Sequence, residues 1–292
     1  MNDALVVTIV ILYHPDAETL SFIEGLVNSG LHLIAVVNAA DAASLIRLRS
    51  KKGLHLVENS ENVGLARALN QGCRFAFQQN ATHVMLLDQD SRPGPSLPSQ
   101  LLNDLVVLEN AGKKIAAIGP RLVDLKATGL PGGATSQIDN YLSHYVAVDT
   151  LATSGCLISR SALEAVGEMY EWLFIDDIDH EWCFRARHNQ YEVIRSTRLE
   201  MTHNMGDSGV TVLGRYRPLH RSPFRHYYIT RNTVFLCKQP YVRLGWRVTE
   251  ALKMCYRIPI YLLISANRSS SMKKIILGII HGLKHKRINR LD

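Results

Sequence analysis

The residues able to do chemistry in this 292-residue chain gather in a few short segments. Asp88-Gln89-Asp90-Ser91 sets two carboxylates two residues apart, where the apolar run before them opens into the turn Ser91-Arg92-Pro93-Gly94-Pro95. Such a pair can offer oxygen ligands to a hard divalent cation, Mg2+ or Mn2+, which would also bind diphosphate oxygens. A solvated acidic loop is the plain alternative. Asp176, Asp177, Asp179 and Glu181 fall within six residues, ahead of Trp182 and Arg185. Acidic side chains complement the dipole of a helix's first turn. Four together exceed what capping requires, and crowding raises the pKa of one carboxyl toward the range of a general base. Asn62, Gly64, Ala66, Ala68, Asn70 and Gly72 form a row of small or polar residues. They read either as a surface that admits a ribose or phosphate near Gly64 or as an ordinary Ala-rich core helix. His203, one of 12 histidines, is a candidate metal ligand or a structural imidazole.

These residues need elements to position them. Short β-branched runs alternate with helical spacing through the first hundred residues: strands at 6–13, 31–38, 54–59 and 82–88, helices near 16–29, 42–50 and 61–79. That alternation predicts an α/β fold with a parallel sheet, helices on both faces and ligands beyond the carboxyl ends of the strands. The polar segments Tyr13 to Asp16, Asn38 to Asp41, Asn59 to Gly64 and Asp88 to Ser91 lie at those ends. Further strands are expected at 114–123, 144–151, 155–160 and 191–200, with a short helix after Ser161 and an acidic helix from about 174. There is no GxGxxG, P-loop or HExxH signature, so simple dinucleotide, P-loop and zincin readings have no support. Five dispersed cysteines without a CxxC pair predict reduced thiols in a cytosolic setting.

Charge divides the chain. Residues 1–214 carry 16 Lys/Arg against 24 Asp/Glu, a balance of −8, and residues 215–292 carry 17 against 2, a balance of +15. Two regions are expected, 1–217 as a catalytic body and 218–292 as a basic, mainly helical extension interrupted at Pro259. Over 241–257, Arg243, Arg247, Glu250, Lys253 and Arg257 share one helix face, and the tail after Pro259 alternates Lys/Arg with Ile and Leu. A basic amphipathic helix of this kind can lie in an anionic membrane interface, or pack on the body with a solvated basic face. The run 4–13 follows Asp3 and stops at His14-Pro15, which argues against a signal peptide. No stretch approaches the roughly 18 to 20 apolar residues a bilayer span needs.

The order of motifs resembles the family 2 glycosyltransferases, whose fold is GT-A: a strand-end loop after VVTIV, N-x-G-x-A-x-A-x-N-x-G at 62–72, LLDQDS, TSGCLISR, FIDDIDHEWCFRA, then a strand ending in THN. The similarity spans residues 5–235, and FID-x-x-D-x-EWC-x-R-A with LLDQDS and YYITRN resembles the bacterial rhamnosyltransferases of polysaccharide and O-antigen assembly.

That resemblance implies a Rossmann-like mixed sheet and a nucleotide diphosphate sugar donor, dTDP-β-L-rhamnose, with an α-L-rhamnoside as product. It implies Asp90 as direct ligand of a divalent metal, Asp88 on the ribose or a metal-bound water, and His203 completing the shell. Asp179 takes the place of the catalytic base of an inverting displacement. The donor-side set it implies is Tyr13, His14, Asn38, Asn62, Gly64, Arg67 and Gln89 around that metal, with Arg231 of YYITRN reaching the diphosphate. Ser154 and Gly155 of TSGC, with Asp176, Asp177, Glu181 and Trp182, would line the donor and acceptor pocket. Asn38 departs from the family's V-D-N pattern, where an Asp reads the base; an amide offers both donor and acceptor, and the backbone near Tyr13 and His14 is the other candidate. The acceptor implied is a lipid-linked saccharide, and the location the cytoplasmic face of the inner membrane. The same fold with a UDP-hexose donor is the near alternative. A non-catalytic, basic-tailed module for nucleic acid or anionic lipid is the distant one, and it leaves the carboxylates without a role.

Overall fold

The computed structural model describes residues 4–123, 144–203, 209–212, 215–218, 222–286 and 288. The first third is the expected alternation: β1 (Val6–Tyr13), α1 (Ala17–Asn28), β2 (Leu33–Ala39), α2 (Ala42–Arg49), β3 (Leu54–Glu58), α3 (Leu65–Gln78) and β4 (His83–Asp88). β1 lies between β2 and β4 with β3 outside β2, all parallel. The period of two in β1 sends Val7, Ile9 and Ile11 to one face and Val10 and Leu12 to the other, and both faces are covered. Asp16 and Asp41, at two polar strand ends, cap helices by accepting the Thr19 and Ser44 N–H groups.

The chain continues through β5 (Ser91–Arg92), α4 (Leu97–Asn110), β6 (Ile115–Val123), β7 (Tyr145–Ala147), β8 (Cys156–Ser159) and α5 (Arg160–Val166). A 3-10 turn (Glu171–Leu173), α6 (Ile178–His188), β9 (Glu192–His203), β10 (Gly209–Val212), β11 (Arg215–Pro218) and helices α7 (Pro223–Cys237), α8 (Leu244–Ile264) and α9 (Arg268–Lys284) complete it. The sheet order is β3-β2-β1-β4-β8-β6-β9-β5, with β7 on β9. β8 runs antiparallel to both β4 and β6, while β6 and β9 are parallel. The sheet is therefore mixed, all parallel from β3 to β4 and again between β6 and β9, with β8 inverted between them. An antiparallel β8 brings its own beginning, Ser154-Gly155, to the carboxyl end of β4, and Leu86 pairs with Cys156 there.

One face of the sheet is covered by α3, α5 and α6, the other by α1 and α4. α3 lies close against β1 because Gly72 has no side chain: a Cβ there would sit 2.5 Å from Ile9 Cγ2. Ala66, Ala68 and Gly72 are all buried, so the core-helix alternative holds for the small-residue row.

The basic extension is helical, with two corrections. Pro259 does not interrupt it, because α8 runs through that position from Leu244 to Ile264. The row of charged residues on α8 is not wholly solvated either. Glu250 is buried and accepts from Lys253 Nζ (2.5 Å) and Arg257 Nη1 (2.7 Å), so the charges satisfy one another against the body. α7 is continuous with the catalytic body: Phe235 and Leu236 are fully buried in the same core as α3 and α6.

Candidate active site

Beyond the end of β4, Asp88 donates its backbone N–H to Ser154 Oγ (3.0 Å), and that hydroxyl also lies 2.5 Å from Ser91 Oγ. Ser154 thus joins the DQDS turn to the start of β8. Gly155 holds the crossing with φ +79°, donating its N–H to the Leu86 carbonyl (2.7 Å). β5 then pairs with the end of β9, Ser91 opposite His203, which carries the His203 backbone to the same turn. Burial, and after it the charges of Asp90 and Asp179, push the Asp88 carboxyl up to about 7. Asp179, 89 positions on from Asp90 in the sequence, therefore shares one electrostatic neighbourhood with the Asp-x-Asp pair.

Asp179 arrives there on the first turn of α6, after a loop with left-handed backbone at Phe174 (φ 64°), Asp176 (φ 65°) and Asp177 (φ 58°). Each such non-glycine residue costs about 1–3 kcal/mol, and α7 supplies what holds them. Asn232 Nδ2 donates to the carbonyls of Leu173 (3.0 Å), Ile175 (2.8 Å) and Asp176 (2.9 Å). Arg225 pairs with Asp176 at 3.0 Å, and Thr233 Oγ1 donates to Asp177 at 3.4 Å. The crowded carboxylates separate in behaviour. Burial drives the Asp177 carboxyl up to about 7, with Asp176, Asp179 and Glu250 adding to it against His180. Burial also works to raise Asp179, but the charge of His180 and the hydrogen bonds it donates outweigh that and hold Asp179 below the ordinary Asp value. His180 Nδ1 stands 3.1 Å from Asp179 Oδ1; burial resists its protonation, and Asp179 and Asp177 still lift it to about 9. Crowding does raise a carboxyl, but that carboxyl is Asp177, not the expected base Asp179.

Several expected pocket residues are occupied elsewhere. Glu181 is fully buried, accepting both Arg185 Nε and Nη2 at 2.9 Å and the Tyr241 hydroxyl at 2.9 Å. Trp182 is buried beside it with Nε1 donating to the Gly167 carbonyl. Neither lines a pocket; both lock α6 to the core, because i and i+4 place Glu181 and Arg185 on its inner side. Arg231 is likewise engaged by the loop before α6. Its guanidinium donates to the Trp172 and Leu173 carbonyls and lies 3.9 Å over the Trp172 ring and 4.6 Å over Tyr228. Burial lowers its pKa.

On the nucleotide side, Asn38 donates to Asn62 Oδ1 (2.9 Å) and accepts from the Val63 N–H (3.0 Å), so its amide organises the β3 to α3 loop. Asn62 also accepts from the Gly64 N–H. The space over Gly64 is taken by Phe174: a Cβ would meet that ring at 2.5 Å, and the Leu65 N–H donates to the Phe174 carbonyl at 2.6 Å. The start of α3 is thus closed by protein, not left open to a phosphate. Gln89 spans to β1, accepting the Tyr13 N–H (2.8 Å) and donating to its carbonyl (3.1 Å), and His14 donates its N–H to Ala39. These contacts engage the Tyr13 N–H and carbonyl and the His14 N–H. The Tyr13 ring remains about half exposed, edge-on to His14 at 4.5 Å. Arg67 is exposed on α3, 3.8 Å from Glu171.

Sequence reasoning did not single out His180, Phe174 or Asn232. The last had a signal, since it adjoins Arg231 in YYITRN. The left-handed loop had none, because Phe-Ile-Asp-Asp contains no glycine to announce it.

No family model matches the chain. Among curated proteins it is 27% identical over 289 residues to dTDP-rhamnosyl transferase RfbF of Shigella flexneri, covering 94% of each chain. It is 21% identical to the low-salt glycan biosynthesis hexosyltransferase Agl10 of Haloferax volcanii, covering 88% of this chain and 85% of that one. Among solved structures it is similar to residues 1–349 of Staphylococcus aureus TarS, with a TM-score of 0.54 at 12% identity over 96% of this chain and 81% of the other. It spans 44% of the longer TarS chain, with a TM-score of 0.51 at 11% identity over 90% of its own length. Sheet order, motif positions and these likenesses converge: the chain is a glycosyltransferase with a GT-A type mixed sheet, similar to the family 2 rhamnosyltransferases.

Proposed function

We propose that this glycosyltransferase moves L-rhamnose from dTDP-β-L-rhamnose to a hydroxyl of a lipid-linked saccharide, with inversion, at the cytoplasmic face of the membrane in cell-surface polysaccharide synthesis. The observation that carries the reading is that Asp90 and Asp179 lie near enough to Asp88, beyond the end of β4, for their charges to raise it. Full-length similarity to a dTDP-rhamnosyl transferase supports the sugar.

A divalent cation suits this donor set. Asp88 is raised by burial and by two like charges, so added positive charge would relieve it. Among the described residues no group of three His, Cys, Asp or Glu side chains could hold a metal. Two carboxylates with donor phosphates completing the shell is the ordinary Mg2+ arrangement, and the backbone position of His203 opposite Ser91 makes it the candidate third ligand. Such an ion, Mg2+ or Mn2+, would counter the charge that grows on the departing diphosphate. The chain's own residues do the rest. Asp179, kept ionised by His180, accepts the proton of the acceptor hydroxyl. That oxygen bonds to the anomeric carbon as the bond to the diphosphate oxygen breaks on the opposite side.

Asp179→Asn is expected to keep donor binding, read as thermal stabilisation by dTDP-rhamnose with Mg2+ or Mn2+, while transfer falls by about 10² to 10⁴. Near-normal turnover would move the base to Asp177 or Asp176. Similarity to a hexosyltransferase favours one second reading, a UDP-hexose donor. Donor hydrolysis across dTDP-rhamnose and the UDP-hexoses separates the two.

A further inference from the structure

α8 and α9 both pack on α7, and their inner faces close over Ile229, Tyr261 and Ile275. Their outer faces are unusual. On α8, Leu244, Val248, Leu252, Tyr256, Ile260 and Leu263 recur every three or four residues and are 38–69% exposed. That spacing is one continuous stripe along a helix. On α9, Met272, Ile276, Ile280 and Leu283 repeat the pattern, with Leu277 beside them. Single exposed apolar residues are unremarkable, but two adjoining helices that each expose a full stripe mark a surface with a partner.

Charge selects the partner. Residues 243–286 hold nine Lys/Arg and one acidic residue, Glu250, a balance of +8, and of these Arg268, Lys273, Lys274, Lys284 and Lys286 are exposed on or beside α9. Glu250 is buried and held by Lys253 and Arg257, so it puts no negative charge outside. Lys273 and Lys274 follow Met272 directly, and Lys284 follows Leu283. A second copy of this chain seated on the same stripes would bring two such positive segments together, which works against a symmetric dimer. A negatively charged sheet of lipid headgroups over an apolar interior complements both features at once. Neither helix is long and apolar enough to cross a membrane, so the fitting geometry is two helices lying in the interface plane with their apolar sides about 5–10 Å deep.

We propose that the outer stripes of α8 and α9 form a docking surface for an anionic lipid bilayer. The surface differs from the one the sequence alone suggests. Insertion runs through the apolar stripe of α8, while Lys253 and Arg257 are tied to the buried Glu250 and Arg243 to Asp149. The proposal stands apart from the choice of sugar, and its test involves no turnover.

Flotation of the full chain with vesicles rich in phosphatidylglycerol, and separately with phosphatidylcholine vesicles, measures it. The wild type is expected to float with the anionic vesicles and weakly or not at all with the neutral ones. Leu252→Asp with Ile276→Asp should lower partitioning on the order of tenfold or more, since both insertion stripes then carry charge. Lys273→Gln with Lys274→Gln should lower it on anionic vesicles alone, also on the order of tenfold. Circular dichroism and unfolding temperature, which exposed substitutions leave unchanged, exclude misfolding as the cause. Failure of the wild type to float at low salt would overturn the proposal. So would a dimer in sedimentation that Leu252→Asp converts to monomer while flotation stays the same.

Discussion

Asp177 and Asp179 stand two positions apart at the start of α6 and are driven in opposite directions. Asp179 faces the His180 imidazole and stays ionised; Asp177 is buried among like charges and rises to about 7. In the unfolded chain Asp177 would titrate near 3.8. The folded state therefore binds the extra proton between roughly 4 and 7, and stability falls as pH rises through that window. The penalty is fully present above 7. Asp177→Asn removes the charge, keeps the shape and tolerates the left-handed backbone. Its unfolding temperature is expected to exceed the wild type's by a few degrees at pH 8, with the gap closing toward pH 4. A gap that persists unchanged at pH 4 would show that the charge is not its source. At this scale the sequence was informative where a residue type had one use. Paired carboxylates after an apolar strand mark a candidate site wherever the strand ends. Glu181, Trp182 and Arg231 have two uses, and only the helix face they occupy decides between them. The Glu181 to Arg185 spacing was a visible hint of an internal ion pair.

The loop of residues 172–177 depends on α7 more than on its own sequence. Its left-handed residues persist because Asn232 ties the carbonyls of Leu173, Ile175 and Asp176 and Arg231 ties those of Trp172 and Leu173. Phe174 in turn fills the space over Gly64 and closes the start of α3. Asn232→Ala leaves the Ile175 and Asp176 carbonyls without this donor, while Leu173 keeps Arg231, at about 1–3 kcal/mol, and relaxes the loop that presents Asp179. The expected outcome is kcat lower on the order of tenfold with donor KM little changed, because the Asp88 turn is built from β4, β5 and β8. Equal losses in both constants would count against a positioning role. The first four strands and their helices were legible because strand and helix periods alternate cleanly. The direction of β8 was not. An apolar run at 156–159 reads as a buried strand in either orientation, and only its pairing with β4 and β6 shows it inverted. Pro259 read as a break because proline removes one helical hydrogen bond; packing of Met254 and Tyr261 on either side carries α8 through it.

Across the whole molecule, the average charge of +7 conceals a −8 body and a +15 extension, and the two are joined more tightly than that contrast suggests. α9 lies on α7 through Gly278 and Gly282, where a Cβ would come within 2.7 Å of the Tyr227 carbonyl oxygen and 2.5 Å of that of Arg231. His285 stacks on Trp172 at 3.8 Å and hydrogen-bonds the Tyr170 hydroxyl at 2.8 Å. A chain ending at residue 242 is therefore expected to lose several degrees of unfolding temperature and most donor turnover, measured on purified protein. Retention of both would make residues 243–292 a detachable module. The clamp on the 172–177 loop also sets an order in time. Translation delivers the Asp88 turn and Asp179 long before Asn232, and Asn232 before the helix that seats it, at about 5–20 residues per second. The nascent chain holds its reactive carboxylates for seconds without the loop geometry to use them. On the proposed reading, a chain that stops before α9 would lack both the seat of that clamp and the α9 stripe assigned to the lipid surface.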